Sequence, residues 1–148
     1  MPREFTRIEG ACHCRNIRFV LLWPGSGSDI LIRKCGCTFC RKRAGSWTSH
    51  RNAELVAEIA DPAAVSKYRF GTKTADFYVC SVCGLVPFVL SDIGDRQYAV
   101  VNVNVFEDFD VSALPGSSTN FDGEDICSRL ERRKRNWIPN VQVLEIVA

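Results

Sequence analysis

Short apolar runs, set between Gly, Pro, Asp and Ser, recur along the whole chain. Residues 17–23 (Ile-Arg-Phe-Val-Leu-Leu-Trp) predict a strand ended by Pro24-Gly25, and Gly25-Ser26-Gly27-Ser28 predicts a flexible loop. Residues 30–32 form a short apolar strand that delivers the chain to Cys35. Residues 38–44 predict one helical turn, with Gly45 as its stop. Residues 46–50, 55–59 and 65–70 read as short strands, with a turn at Asp61-Pro62, and residues 75–79 alternate loosely. The strongest strand patterns are residues 85–90 and 97–106, rich in valine and aromatics, with a hairpin loop over Asp92-Ile93-Gly94-Asp95. Residues 112–122 read as a polar loop containing Pro115-Gly116. Asp122 is the expected N-cap of a helix to about Trp137, with Ile126, Leu130 and Trp137 on one face and Pro139 ending it. Residues 141–147 read as a closing strand. No repeat, low-complexity stretch or linker interrupts the pattern. It predicts a single domain over residues 1–148, mainly β, of short antiparallel strands with one late α-helix.

Composition adds bounds. The chain has 148 residues, 46% apolar and 24% charged, enough for a core without disulfide staples. A net charge of +2 does not by itself imply nucleic acid or acidic membranes. No apolar run approaches the roughly 18 residues of a spanning helix, so no membrane partner is expected. Residues 1–7 (Met-Pro-Arg-Glu-Phe-Thr-Arg) carry both charge signs and lack the apolar stretch of a signal peptide. The expected location is cytoplasmic, with thiols that start reduced.

Eight cysteines in such a setting point to metal rather than disulfides, because seven fall in tight clusters: Cys12/Cys14, Cys35/Cys37/Cys40 and Cys80/Cys83. Thiolates suit zinc, and Gly36 allows a tight fold between the first two sulfurs of the middle cluster. Cys80-Ser81-Val82-Cys83-Gly84 has the form of a zinc knuckle. Seven ligands divide as four plus three, a closed tetrahedral set and an open one. Spacing alone leaves the partition open. Cys37/Cys40 with Cys80/Cys83 would make an ordinary ribbon site. Cys12/Cys14 with Cys80/Cys83 would leave Cys35, Cys37 and Cys40 as an open trio. The second arrangement is preferred, because three ligands from one loop can sit on one side of an ion.

Three stretches carry a resemblance: Gly10-Ala11-Cys12-His13-Cys14-Arg15-Asn16-Ile17-Arg18-Phe19, Cys35-Gly36-Cys37-Thr38-Phe39-Cys40-Arg41-Lys42, and Val79-Cys80-Ser81-Val82-Cys83-Gly84. Together with Phe121-Asp122-Gly123 and Arg132-Arg133-Lys134-Arg135-Asn136-Trp137-Ile138-Pro139, they resemble the glutathione-dependent formaldehyde-activating enzyme family, which includes centromere-protein-V-like zinc domains. The resemblance implies a β-rich, tent-like, zinc-stabilised fold. It implies a structural zinc on Cys12, Cys14, Cys80 and Cys83 and a labile or catalytic zinc on Cys35, Cys37 and Cys40. It also implies carbon–sulfur lyase chemistry with a small thiol partner such as glutathione and with formaldehyde. One departure is Gly36, where many members carry histidine.

A zinc with three thiolates carries a net charge near −1, which Arg41, Lys42 and Arg43 are placed to offset. Arg41 and Lys42 are also candidates to hold the carboxylates of a glutathione-like tripeptide, or they form a solvated basic turn. His13 is expected to point away from its flanking ligands. His50 is a candidate fourth ligand or proton shuttle, against the plainer reading of a surface or core histidine. Cys127 is expected to be a buried thiol, and Trp47 to serve the core or line a pocket. Arg129, Arg132, Arg133, Lys134 and Arg135 make a basic run on the late helix. The alternative to an enzyme is a non-enzymatic zinc module that binds protein or nucleic acid through this run. The small net charge and the lack of an aromatic ladder argue against nucleic acid.

Overall fold

Apolar alternation and its breaks account for most of the strands. The structure is a computed structural model that describes residues 4–146. The expectations for residues 1–3 and Val147 lie outside the described residues. The strands are β1 (Phe5–Ala11), β2 (Ile17–Pro24), β3 (Ile32–Cys35), β4 (Ser46–Thr48), β5 (Glu54–Ile59), β6 (Val65–Tyr68), β7 (Asp76–Cys80), β8 (Phe88–Ile93), β9 (Arg96–Asn102), β10 (Gly116–Thr119) and β11 (Asn140–Glu145). Two α-helices accompany them, the short α1 (Thr38–Arg43) and the late α2 (Ile126–Asn136). The architecture is mainly β, as expected. No helix among the described residues is long and apolar enough to cross a membrane.

The strands form two sheets. One has the order β1-β2-β5-β11 and the other β10-β3-β4-β9-β8-β7-β6. In β2, Ile17, Phe19, Leu21 and Trp23 are buried while the residues between them are half-buried, and Leu55, Ala57 and Ile59 repeat the pattern in β5. These faces meet Phe88, Leu90, Ala99 and Val101 from the larger sheet in one core. Val89 and Val100 point the other way, into a second core with Cys37, Cys40, Trp47 and Trp137. The first half of β8 is therefore buried on both faces, which is why Phe88-Val89-Leu90 is continuously apolar rather than alternating. Burying one such side chain contributes about 1.5–3 kcal/mol.

Several expectations are corrected. Strand β1 arises where the sequence looks like a polar lead. It pairs antiparallel with β2 and buries Ile8, Gly10 and Ala11. Strand β10 forms inside the expected polar loop and pairs with β3. That pair and β11 with β5 are parallel, so the sheets are mixed rather than purely antiparallel. Each of these pairings needs a long connection, which the segments before β10 and β11 supply. The β8–β9 turn is tighter than expected: Ile93 pairs with Arg96, leaving only Gly94-Asp95 between the strands. Strand β9 ends at Asn102, and a 3-10 turn (Val103–Val105) replaces the remainder.

The cap of α2 is Asp125, three residues later than expected. Its carboxylate accepts from Ser128 N at 2.8 Å and from the Ser128 hydroxyl at 2.9 Å. The expected apolar face of this helix does not form. Ile126 is half-exposed, and Trp137 is the C-cap residue rather than part of the helix. The inward side chain is Arg133, 6% exposed. At α1 the stop is made by Ala44, in the left-handed conformation at φ 54°, and not by Gly45. Gly45 has a different reason to be glycine, since a Cβ there would lie 2.7 Å from Trp47 Nε1.

Candidate metal centre

The turns between strands gather the seven clustered cysteines into two groups. Cys12 directly follows β1, and Cys14 lies in the turn to β2. Cys80 ends β7, and Cys83 lies in the turn after it. The Sγ atoms of these four residues lie within 4.8 Å of one another. Cys12 and Cys14 are 3.8 Å apart, and Cys14 and Cys80 are 3.4 Å apart. A tetrahedral zinc with Zn–S near 2.3 Å requires sulfurs about 3.8 Å apart, so this donor set fits a single ion. The knuckle depends on Gly84. Its φ of +80° lets its N–H reach Cys80 O at 2.8 Å. Ile17 N–H donates to Cys12 Sγ at 3.4 Å.

Cys35, Cys37 and Cys40 form the second group, again with Sγ atoms within 4.8 Å of one another. Strand β3 delivers Cys35. Cys37 caps α1, and its sulfur accepts from Cys40 N at 3.4 Å. Among the described residues no histidine, carboxylate or further cysteine completes this set. The ribbon-type grouping of Cys37/Cys40 with Cys80/Cys83 does not occur. Gly36 is not in a left-handed conformation. Its N–H donates to Thr119 O at 2.6 Å, which ties the loop to β10.

All eight cysteines are free. Burial pushes the Cys12 thiol up to about 12. The Cys40 thiol, beside Cys35 and buried, is pushed well above the ordinary range. The hydrogen bond with Cys40 pulls Cys35 down to about 6, against its own burial. At Cys83 burial pushes up, but backbone N–H bonds from the Cys14 and Leu85 region and the neighbouring thiols outweigh it and bring it to about 6. In the four-sulfur group Cys83 thus holds negative charge readily while buried Cys12 keeps its proton, and in the trio Cys35 does so while Cys37 and Cys40 keep theirs. A bound cation reverses that balance.

A cavity of about 370 Å³ opens on the trio and not on the four-sulfur group. Trp47, Phe70 and Phe77 form an apolar wall, with Phe77 edge-on to Trp47 at 6.0 Å and 5.0 Å from Phe70. The cations lining it are Arg33, Arg129, Arg132 and Arg133. Arg41 and Lys42 are exposed on α1 and are not among the lining residues. The sequence offers the basic run on α2 as a surface for protein or nucleic acid. Its i, i+3, i+4 members Arg129, Arg132 and Arg133 turn inward, and this spacing was the available signal. Phe70 and Phe77, each inside a strand-like pattern, gave none.

His13 is exposed. His50 packs edge-on against Trp23 at 5.2 Å, accepts from Asn52 N at 3.0 Å and does not line the cavity. Cys127 is exposed, which corrects the expectation of a buried thiol. Trp47 is buried and lines the cavity, so it serves both the core and the pocket.

A mixed β fold carrying two thiol clusters able to hold metal ions, one of them facing a cavity, defines a class of β-sheet metal-site proteins. The family model described as glutathione-dependent formaldehyde-activating enzyme matches residues 7–119, and the chain belongs to that family. A crystal structure of a Rhodobacter sphaeroides protein, a structural-genomics target, is similar with a TM-score of 0.52 at 23% identity. The match covers 74% of this chain and 99% of that one. At that identity the likeness concerns the fold alone. No curated protein matches the chain. Helix α2 lies beyond the matched stretch.

Proposed function

We propose that the protein is a zinc-dependent carbon–sulfur lyase acting on a thiol–aldehyde adduct, in the manner of S-hydroxymethylglutathione formed from glutathione and formaldehyde. The observation that carries this reading is the asymmetry of the two clusters. Four sulfurs make a closed set, while three line a cavity. Cys12, Cys14, Cys80 and Cys83 would hold a structural zinc. Cys35, Cys37 and Cys40 would hold a second zinc with one position left for substrate. When bound at the trio, zinc supplies Lewis acidity that lowers a thiol's pKa and polarises an aldehyde oxygen.

The chain's own residues do the rest. Trp47, Phe70 and Phe77 keep bulk water from competing with the thiol for the aldehyde carbon. Arg41 and Lys42, exposed just past Cys40, attract an anionic thiol over longer range. In the forward direction a carbon–sulfur bond forms, the carbonyl π bond breaks, and the thiol proton ends on the former carbonyl oxygen. The reverse step cleaves the same bond. With eight free cysteines, the protein suits a reducing, cytoplasmic setting. It acts as a single domain over residues 1–148.

The test is ¹³C NMR of labelled formaldehyde with glutathione, comparing metal-loaded wild type with Cys40→Ser. Wild type should speed adduct formation and breakdown, and Cys40→Ser should return the rate to background. Equal rates for both proteins would remove the enzymatic reading.

A further inference from the structure

Four guanidiniums border one cavity, and they have little opposite charge among them. Arg33 comes from β3, and Arg129, Arg132 and Arg133 from α2. Glu124 accepts from Arg132 at 3.0 Å and lies 3.9 Å from Arg129 Nε. Asp122 also lines the cavity. Arg132 is further occupied by Phe121, whose ring centroid is 3.5 Å from its guanidinium carbon. Neither Arg33 nor Arg133 has an ion-pair partner among the described residues.

Arg133 is the most constrained of the four. It is 6% exposed and is held through Nη1 by Thr74 O at 3.2 Å, Thr74 Oγ1 at 2.8 Å and Ser91 Oγ at 3.1 Å. Its Nε has no hydrogen-bond partner, and neither does Nε of Arg129. Arg33 donates to the Ser49 hydroxyl, which in turn donates to Asn136 O at 2.7 Å. Guanidinium stays charged at neutral pH even when buried. Gathering several such groups is costly without an anion to offset them. The forked donors of arginine match the two oxygens of a carboxylate or a phosphate.

We infer that Arg33, Arg129 and Arg133 form an anion subsite in this cavity, separate from the three thiols, that reads an oxyanion of the substrate. The inference rests on the proposed function for its view of the cavity as a substrate site. It assigns direct contact with the substrate's charged end to a wall built mainly from α2. The family match, which ends at residue 119, carries no information on that helix. The three arginines select the substrate, and the trio faces its reacting end.

Calorimetric titration of metal-loaded full-length protein with succinate and with inorganic phosphate, at matched ionic strength, tests this. At least one of the two anions should bind wild type. Arg33→Gln and Arg129→Gln should each weaken it about tenfold or more with metal content unchanged, as expected on losing a charge-assisted bond. Arg135→Gln, on the exposed side of the same helix, should bind as wild type. Tighter succinate supports a carboxylate end, and tighter phosphate a phosphorylated one. Absence of binding to wild type, or unchanged binding in both cavity variants, would overturn the subsite. Anion binding without any adduct-forming activity would defeat the proposed function and leave the subsite standing. Activity with unaltered KM in both cavity variants would do the opposite.

Discussion

Individual residues explain the site's local geometry, and here the sequence is partly transparent. The cysteine clusters are legible because thiols at two- and three-residue spacings have few other uses in a reducing setting. Spacing alone leaves the pairing of the outer clusters open, because it depends on how the β1–β2 turn and β7 approach in space. The preference for Cys12/Cys14 with Cys80/Cys83 rests on the compactness of the trio, and the sulfurs are grouped that way. Gly84 is readable as a knuckle glycine, and its positive φ bears that out. Gly45 misleads. The left-handed residue is Ala44, one position earlier, while Gly45 is kept small by Trp47. An L residue with a Cβ is strained at Ala44's φ of 54°. Ala44→Gly should therefore stabilise the protein by about 0.5–1 kcal/mol, after subtracting glycine's extra unfolded-state entropy. Urea unfolding would read this, and a loss of stability would refute the assignment.

Secondary-structure elements carry the second lesson. Strands β2, β5, β8 and β9 are legible because their apolar patterns are long enough to outvote local noise. Strands β1 and β10 are not, since an edge strand with one large buried side chain (Ile8 in β1) or none (β10) looks like a polar segment. Helix α2 is predicted in its place along the chain, but it starts three residues later than expected and faces differently. Its hydrophobic positions suggested a core contact, whereas the side chain it buries is an arginine hydrogen-bonded to Thr74 and Ser91. A periodicity count that scores only apolar residues misses such a face. Two substitutions test these assignments. Phe88→Ala, at a fully buried side chain 4.8 Å from the Tyr78 ring, should cost about 3–5 kcal/mol in urea unfolding. A cost near zero would mean that β8 is not central. At the helix start, Asp125→Ala should lower the melting temperature by removing two bonds to Ser128, while Asp122→Ala should not act through capping. The reverse order would restore the cap to Asp122.

For the whole molecule, the fold holds the two thiol clusters as separate groups, and the cavity of about 370 Å³ opens on the trio. The preferred grouping of the sulfurs is the one found, and the structure adds the cavity beside the trio and its arginine-lined wall. Cys12 and Cys40 are held protonated by burial and by neighbouring thiols, so metal uptake must displace protons. Zinc binding to the apoprotein at pH 7 should release more than one proton per ion, and affinity should fall as pH falls. A pH-indicator titration showing no release would mean that the thiols are not the ligands. The most direct measurement is a chelator titration of the zinc-loaded protein, with metal content and near-ultraviolet circular dichroism followed together. The account predicts two ions, the first lost to mild chelator with the tertiary signal intact and the second lost only with unfolding. A single ion, or both leaving in one step with the fold, would contradict it.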